Sequence, residues 1–195
     1  MASPGRPPLP RAIFSFESPQ WQPPVAILLD TSVVVEALLP AQPRHAACVG
    51  LFRRLAASES TVVFNELLET ELREVLFNIA LKERHGNKWN RARYDGRVRR
   101  RAGRLLSEGM EAFEQLLDSL SWSLVELADA GEEAQRLMVR HGFRSYDAIH
   151  AATMQVAAVI DIATLDHGFT ALPQARARVH TAAALVATMR KRRAG

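Results

Sequence analysis

Four short apolar runs constrain this chain more than any other feature. Residues 26–29, 61–64, 122–127 and 159–164 are each too brief to be a buried helix, and most end on polar or turn-forming residues. Runs of this kind read as strands buried on both faces of a sheet. Between them the apolar spacing is helical. Helices are expected over 32–39, 44–57, 66–84, from the far side of Gly96 through 120, and over 132–141, 146–157 and 181–193. Asn65 and Ser145 are the expected N-caps of two of them, and Gly142 an expected C-terminal stop. Strands alternating with helices specify a parallel sheet covered on both faces. In such sheets functional groups gather beyond the carboxyl ends of the strands.

At 195 residues the chain suffices for one domain with a real core. No apolar stretch is long enough to cross a bilayer, so a membrane role is not expected. A single cysteine, Cys48, allows neither an internal disulfide nor a cysteine-built zinc cage. A reducing, cytoplasmic setting is expected. Seven of the ten prolines fall in residues 1–24, which lack the apolar block of a secretory signal. This segment reads as an N-terminal arm, either docked through Phe14, Phe16 or Trp21 or left unstructured. The domain proper is expected over 25–189, with a basic tail over 190–195.

Charge is unevenly placed. Residues 81–104 carry ten Lys or Arg against Glu83 and Asp95, and "RKRR" at 190–193 adds four more, yet the whole chain is only +4. Basic segments on an otherwise acidic body suit a polyanionic partner, although a solvated helix face and tail would give the same composition. The part over 86–104 looks like an insertion. Its Arg97, Arg99, Arg100 and Arg101 are candidate RNA-phosphate contacts, with Trp89 and Tyr94 available for base stacking, and packing on a partner subunit is the alternative.

Four carboxylates stand where chemistry would need them. Asp30 ends the first run, though an N-cap would be the same residue type. Glu71 falls inside the apolar stripe 67, 68, 72, 75, 76, 79, where a carboxylate needs a counter-charge, a metal or a proton. Asp147 opens a helix, which the helix dipole alone would favour. Asp166 follows the fourth run, where a turn would also favour Asp. Carboxylates gathered within a few ångströms repel by roughly 4 kcal/mol per close pair at an effective dielectric of about 20. A divalent cation makes such a cluster tolerable, and oxygen-only ligands favour a hard ion, Mg²⁺ or Mn²⁺. His150 and His167 are near these positions but read more simply as structural. Glu36 and Asp161 are left outside the site.

The segments "LLDTSVVVEALL", "ETELREVL", "SYDAIHAA" and "IATLDHGF", in that order, resemble the PIN-domain ribonucleases, especially VapC-like toxins of toxin–antitoxin pairs. The likeness covers about residues 25–185. It implies a doubly wound three-layer α/β/α sandwich with a mostly parallel sheet. It also implies an acidic quartet of Asp30, Glu71, Asp147 and Asp166 holding one or two Mg²⁺ or Mn²⁺ ions, with Thr31, Ser32 and Thr164 as supporting hydroxyls. The implied activity is endoribonucleolytic hydrolysis leaving a 5′-phosphate and a 3′-hydroxyl. The implied partners are an RNA substrate, a second copy in a homodimer and a small antitoxin. A non-catalytic PIN-like module that binds RNA or protein is the alternative. A Mg²⁺-dependent phosphatase of the aspartyl-phosphate type fits less well, because Ser32 stands where that type has a second Asp.

Overall fold

Parallel strands with helical crossovers are what the structure shows. The computed structural model describes residues 12–172 and 176–194. The strands are β1 (Ile13–Ser15), β2 (Ala26–Leu29), β3 (Thr61–Asn65), β4 (Ser121–Val125), β5 (Asp161–Ala163) and β6 (Arg178–Thr181). The helices are α1 (Thr31–Leu38), α2 (His45–Ala57), α3 (Glu66–His85), α4 (Trp89–Ala92), α5 (Gly96–Asp118), α6 (Leu127–His141), α7 (Ser145–Val156) and α8 (Ala183–Ala194). The sheet order is β1-β6-β5-β2-β3-β4, and each pairing is parallel. The chain winds outward from β2 to β3 and β4, then crosses back to place β5 on the other side of β2. The β2/β5 border is therefore the switch point of a doubly wound sheet.

Side-chain alternation builds two apolar layers from one sheet. Ile27, Leu29, Val62, Phe64 and Ala163 pack on one face with residues of α1, α2, α3 and α5. Leu28, Val63, Val125, Ile162 and Val179 pack on the other with residues of α6, α7 and α8. The result is a three-layer α/β/α sandwich.

The element boundaries carry several corrections. The run expected as a strand over 122–127 ends at Val125, and Leu127 already begins α6, its N–H donating to Glu66 Oε2 at 2.9 Å. The fourth run pairs only over Asp161–Ala163. Ser145 does not cap α7; the cap position is Arg144, with no side-chain bond. Asn65 does cap α3, accepting from Leu68 N at 3.1 Å, and Gly142 ends α6 with φ 68°.

The edge strand β1 and its neighbour β6 fall in stretches expected as arm or loop. Residues 1–11 of the arm lie outside the described residues, but the rest of it joins the domain. β1 pairs with β6, and Phe16 and Trp21 are buried in the core. Trp21 Nε1 donates to His180 Nδ1 at 2.8 Å, and Arg54 donates to the carbonyls of Phe16, Ser18 and Trp21. The run 190–194, set apart as a tail, continues α8, where Arg190 donates to Ile13 O at 3.1 Å. The run 86–104, set apart as an insertion, is a short 3₁₀ turn, α4 and the start of α5.

Candidate active site

The register of β2 and β5 builds the centre of the site. Leu29 is paired with Ala163, so the next residues, Asp30 and Thr164, leave the sheet side by side. Asp30 N donates to Ala163 O at 3.1 Å, and Thr164 Oγ1 donates to Asp30 Oδ2 at 2.7 Å. Ser32 Oγ donates to the same Asp30 oxygen and accepts from Leu165 N at 3.0 Å. Asp30 occupies the cap position of α1 but makes no side-chain cap bond. Its buried carboxylate is thus held by two hydroxyls from two elements, and the capping explanation fails.

Glu71 comes from the second turn of α3, on the stripe whose Leu67, Leu68, Leu72 and Leu76 are buried. Its Oε2 accepts from Thr31 Oγ1 at 2.6 Å and meets His150 Nε2 at 2.9 Å. Burial pushes the Glu71 carboxyl up, but the hydrogen bonds from His150 and Thr31 outweigh it and hold it below the usual range. His150, on α7 and almost fully buried, has the converse balance. Burial disfavours its charge, yet the bond to Glu71 and the charges of Asp30 and Asp147 raise its pKa. Its Nε2 also stands 4.0 Å from Asp30 Oδ1, so His150 links two of the four carboxylates from behind.

Asp147 lies in the first turn of α7 and Asp166 in the loop after β5. Asp166 is fixed by its own turn: its N–H donates to Thr164 Oγ1 at 2.9 Å and its Oδ1 accepts from Gly168 N at 2.7 Å. Gly168 has a steric reason to lack a side chain. A Cβ there would stand 3.3 Å from Asp147 Oδ2 and 3.4 Å from Asp166 Oδ1. Burial first, then the charges of Asp166 and Asp30, raise the Asp147 pKa.

All four predicted carboxylates line one open cleft of about 620 Å³, together with Thr31 and Ser32. Thr164 supports it from beneath. Among the described residues, however, no three His, Cys, Asp or Glu side chains stand in metal-binding geometry. One oxygen of Asp30 and one of Glu71 are engaged by hydroxyl and imidazole donors. Asp166 Oδ1 accepts from Gly168 N and has the half-exposed ring of His167 beside it, with Nδ1 at 3.5 Å. Among the described residues neither Asp147 nor Asp166 accepts a hydrogen bond from a hydroxyl or an imidazole.

Sequence reasoning passed over three contributors. Tyr146, 46% exposed, lines the cleft beside Asp147. Glu36, left outside the site, lines it too and is bound to Arg44. His150 had only its helical spacing from Asp147 to recommend it. Asp161 does lie elsewhere, bound to His180 and Arg178.

The predicted arginines do not line this cleft. Arg97, Arg99, Arg100 and Arg101 are exposed near the start of α5. Phe113 of the same helix stacks edge-on to Phe64, close to the carboxyl end of β3, and α5 then descends to the start of β4. At 1.5 Å per residue the arginines therefore stand about 18–24 Å along α5 from Phe113, toward the start of that helix. Of the two aromatics there, Tyr94 is 78% exposed, whereas Trp89 is partly buried with Lys82 Nζ 5.1 Å from its ring centroid.

Residues 27–174 match the PIN domain family, and the chain belongs to it. Among solved structures, it is similar to VapC20 of Mycobacterium tuberculosis, a toxin that cleaves the sarcin–ricin loop. Identity there is 21%, covering 70% of this chain and 86% of that one, with a TM-score of 0.44. It is also similar to FitAcB of Neisseria gonorrhoeae, with 20% identity over 79% of this chain and 96% of that one, and a TM-score of 0.47. No curated protein matches the chain.

Proposed function

We propose that this PIN-domain protein is a metal-dependent endoribonuclease, the toxin of a toxin–antitoxin pair. The observation that carries the nuclease reading is the convergence of Asp30, Glu71, Asp147 and Asp166 on one cleft at the switch point of the sheet. The toxin reading rests on the four motifs that resemble VapC-like proteins. A homodimer and a small antitoxin follow from the same resemblance.

The donor set fits a hard divalent ion. It is all oxygen, and burial, followed by the charges of Asp166 and Asp30, pushes up the Asp147 pKa. Asp30 and Asp147 would hold a Mg²⁺ or Mn²⁺ ion directly, and Glu71 and Asp166 would bind a second ion or orient the attacking water. When bound, such an ion polarises the phosphate and acidifies a water molecule. Ser32 and Thr164 keep one oxygen of Asp30 fixed, so its other oxygen is presented in a constant direction. Thr31 and His150 do the same for Glu71. The outlying arginines on α5 would take phosphates of a strand that continues past the cleft.

The test is incubation of purified protein with total cellular RNA in Mg²⁺, Mn²⁺ or EDTA, beside Asp147→Asn. Discrete fragments that need metal and disappear in the variant support the nuclease. Intact RNA throughout, from folded protein that binds RNA, would instead identify a non-catalytic RNA-binding module.

A further inference from the structure

Arg44 is the one Lys or Arg among the described residues that line the acidic cleft. Around it stand Asp30, Glu71, Glu74, Asp147 and Asp166, together with its own partner Glu36. A polyanionic strand entering such a cleft meets repulsion everywhere except at the proposed ion and at this guanidinium. Its position is therefore informative about where the strand runs.

The pairing with Glu36 leaves the guanidinium available. Glu36 is buried, and its Oε2 accepts from the backbone N–H of Arg44 at 2.6 Å. Its backbone carbonyl meets His45 Nδ1 at 3.0 Å. These bonds fix the turn into α2. The guanidinium itself is engaged only loosely, with Nη1 3.5 Å from Glu36 Oε1 and the side chain 34% exposed. That is well beyond the about 2.7–2.9 Å of a tight charge-assisted bond. Most of its five N–H donors remain open to a second anion.

Sequence distance sets the spacing from the reacting centre. Glu36 lies six residues after Asp30, or about 9 Å along α1 at 1.5 Å per residue. Resting on the nuclease reading above, we propose that Arg44 binds an RNA phosphate neighbouring the scissile one and so sets the path of the strand through the cleft. Glu36 is its positioning residue, fixing the backbone from which the guanidinium reaches.

The experiment is binding of a fluorescent single-stranded oligoribonucleotide in EDTA, followed by anisotropy across a salt series. Wild type, Arg44→Gln and Arg44→Lys are compared. Arg44→Gln is expected to weaken binding about five- to tenfold and to lower the slope of log K against log salt by about 0.7. Arg44→Lys is expected to keep the slope but lose part of the affinity, because the planar fork is gone. Should Arg44→Gln fail to fold, cleavage by Arg44→Lys decides: a raised KM with kcat retained supports the assignment, and an unchanged KM overturns it. An unchanged affinity and slope in folded Arg44→Gln, with wild type still cleaving RNA, overturns the role of Arg44 and leaves the nuclease standing. Wild type that neither binds nor cleaves RNA overturns both.

Discussion

Replacing Asp147 by Asn should stabilise the metal-free protein, and the size of the gain follows from the site. Asp147 Oδ2 and Asp166 Oδ1 lie 3.3 and 3.4 Å from one point above Gly168. The two oxygens are therefore less than about 7 Å apart, and at an effective dielectric of about 20 their repulsion is about 2 kcal/mol. The Asp147→Asn change removes that repulsion together with the smaller one from Asp30. Against it stands the loss of a favourable charge in the first turn of α7, worth about 0.3–1 kcal/mol. The net expectation is a gain of about 1 kcal/mol in EDTA at neutral pH, or roughly 2–4 °C in Tm for a chain of this size.

The pH dependence is the sharper test of that cause. The folded Asp147 pKa is raised above the ordinary 3.8, so its ionisation weakens the native state as pH rises through that window. The advantage of the Asp147→Asn variant should appear above the window and vanish below it. Thermal unfolding at pH 3 and pH 7, in EDTA, measures both ends. A variant less stable than wild type at neutral pH, or equally advantaged at both, would refute the electrostatic account of the cluster.

Thr164→Val keeps shape but removes the hydroxyl that bridges Asp30 Oδ2 and Asp166 N. A loss of about 1–3 kcal/mol is expected from the urea midpoint, with the slope unchanged. Asp161 behaves oppositely to Asp147: burial pushes its carboxyl up, but hydrogen bonds from His180 and Arg178 outweigh this and hold it below 3.8. Its stabilising effect is present above the ordinary range and lost as pH falls through the lowered value. The deficit of Asp161→Asn in urea should therefore be large at pH 7 and shrink in strong acid. Trp21→Phe leaves the buried His180 Nδ1 without its donor, at a cost of about 1–3 kcal/mol, and amide exchange should accelerate in β1 and β6.

The central strands β2 and β3 were legible as continuous apolar runs. Each carboxylate of the quartet gave only a modest local signal, with a cap, a dipole or a turn as a competing reason for the three aspartates. The four pointed to one site only when taken together with the motifs that carry them. The last two strands on the β5 side of the sheet, β6 and β1, were not legible locally. β6 reads Arg-Val-His-Thr, and β1 is three residues after a proline-rich stretch. Both become strands through tertiary contacts, the bond from Trp21 to His180 among them, that no local window contains. The limits of the basic segment were hidden for a similar reason. Whether 86–104 is an insertion or the tip of a helical hairpin depends on α3 and α5 packing together, as Leu81 and Ala102 do. Arg44 and Glu36 escaped because one lies in a turn and the other inside a helix, and only the fold brings both to the cleft.

The position of the quartet also explains why the fold tolerates it, and how far. α1, α3 and α7 all begin at the carboxyl edge of the sheet, and Asp30, Glu71 and Asp147 sit at or within two turns of those beginnings. Each helix start is equivalent to about half a positive charge. Three of them offset well under half of four carboxylates, and each dipole contributes about 0.3–1 kcal/mol where a single close pair opposes with about 2 kcal/mol. His150 meets Glu71 and lies 4.0 Å from Asp30, but both Asp147 and Asp166 keep their mutual repulsion. The scaffold thus neutralises the half of the site nearest α3 and leaves the half nearest α7 electrostatically unbalanced. A divalent ion proposed for this cleft should gain most from Asp147, Asp166 and the free oxygen of Asp30, and removing Glu71 should weaken ion binding less than removing Asp147.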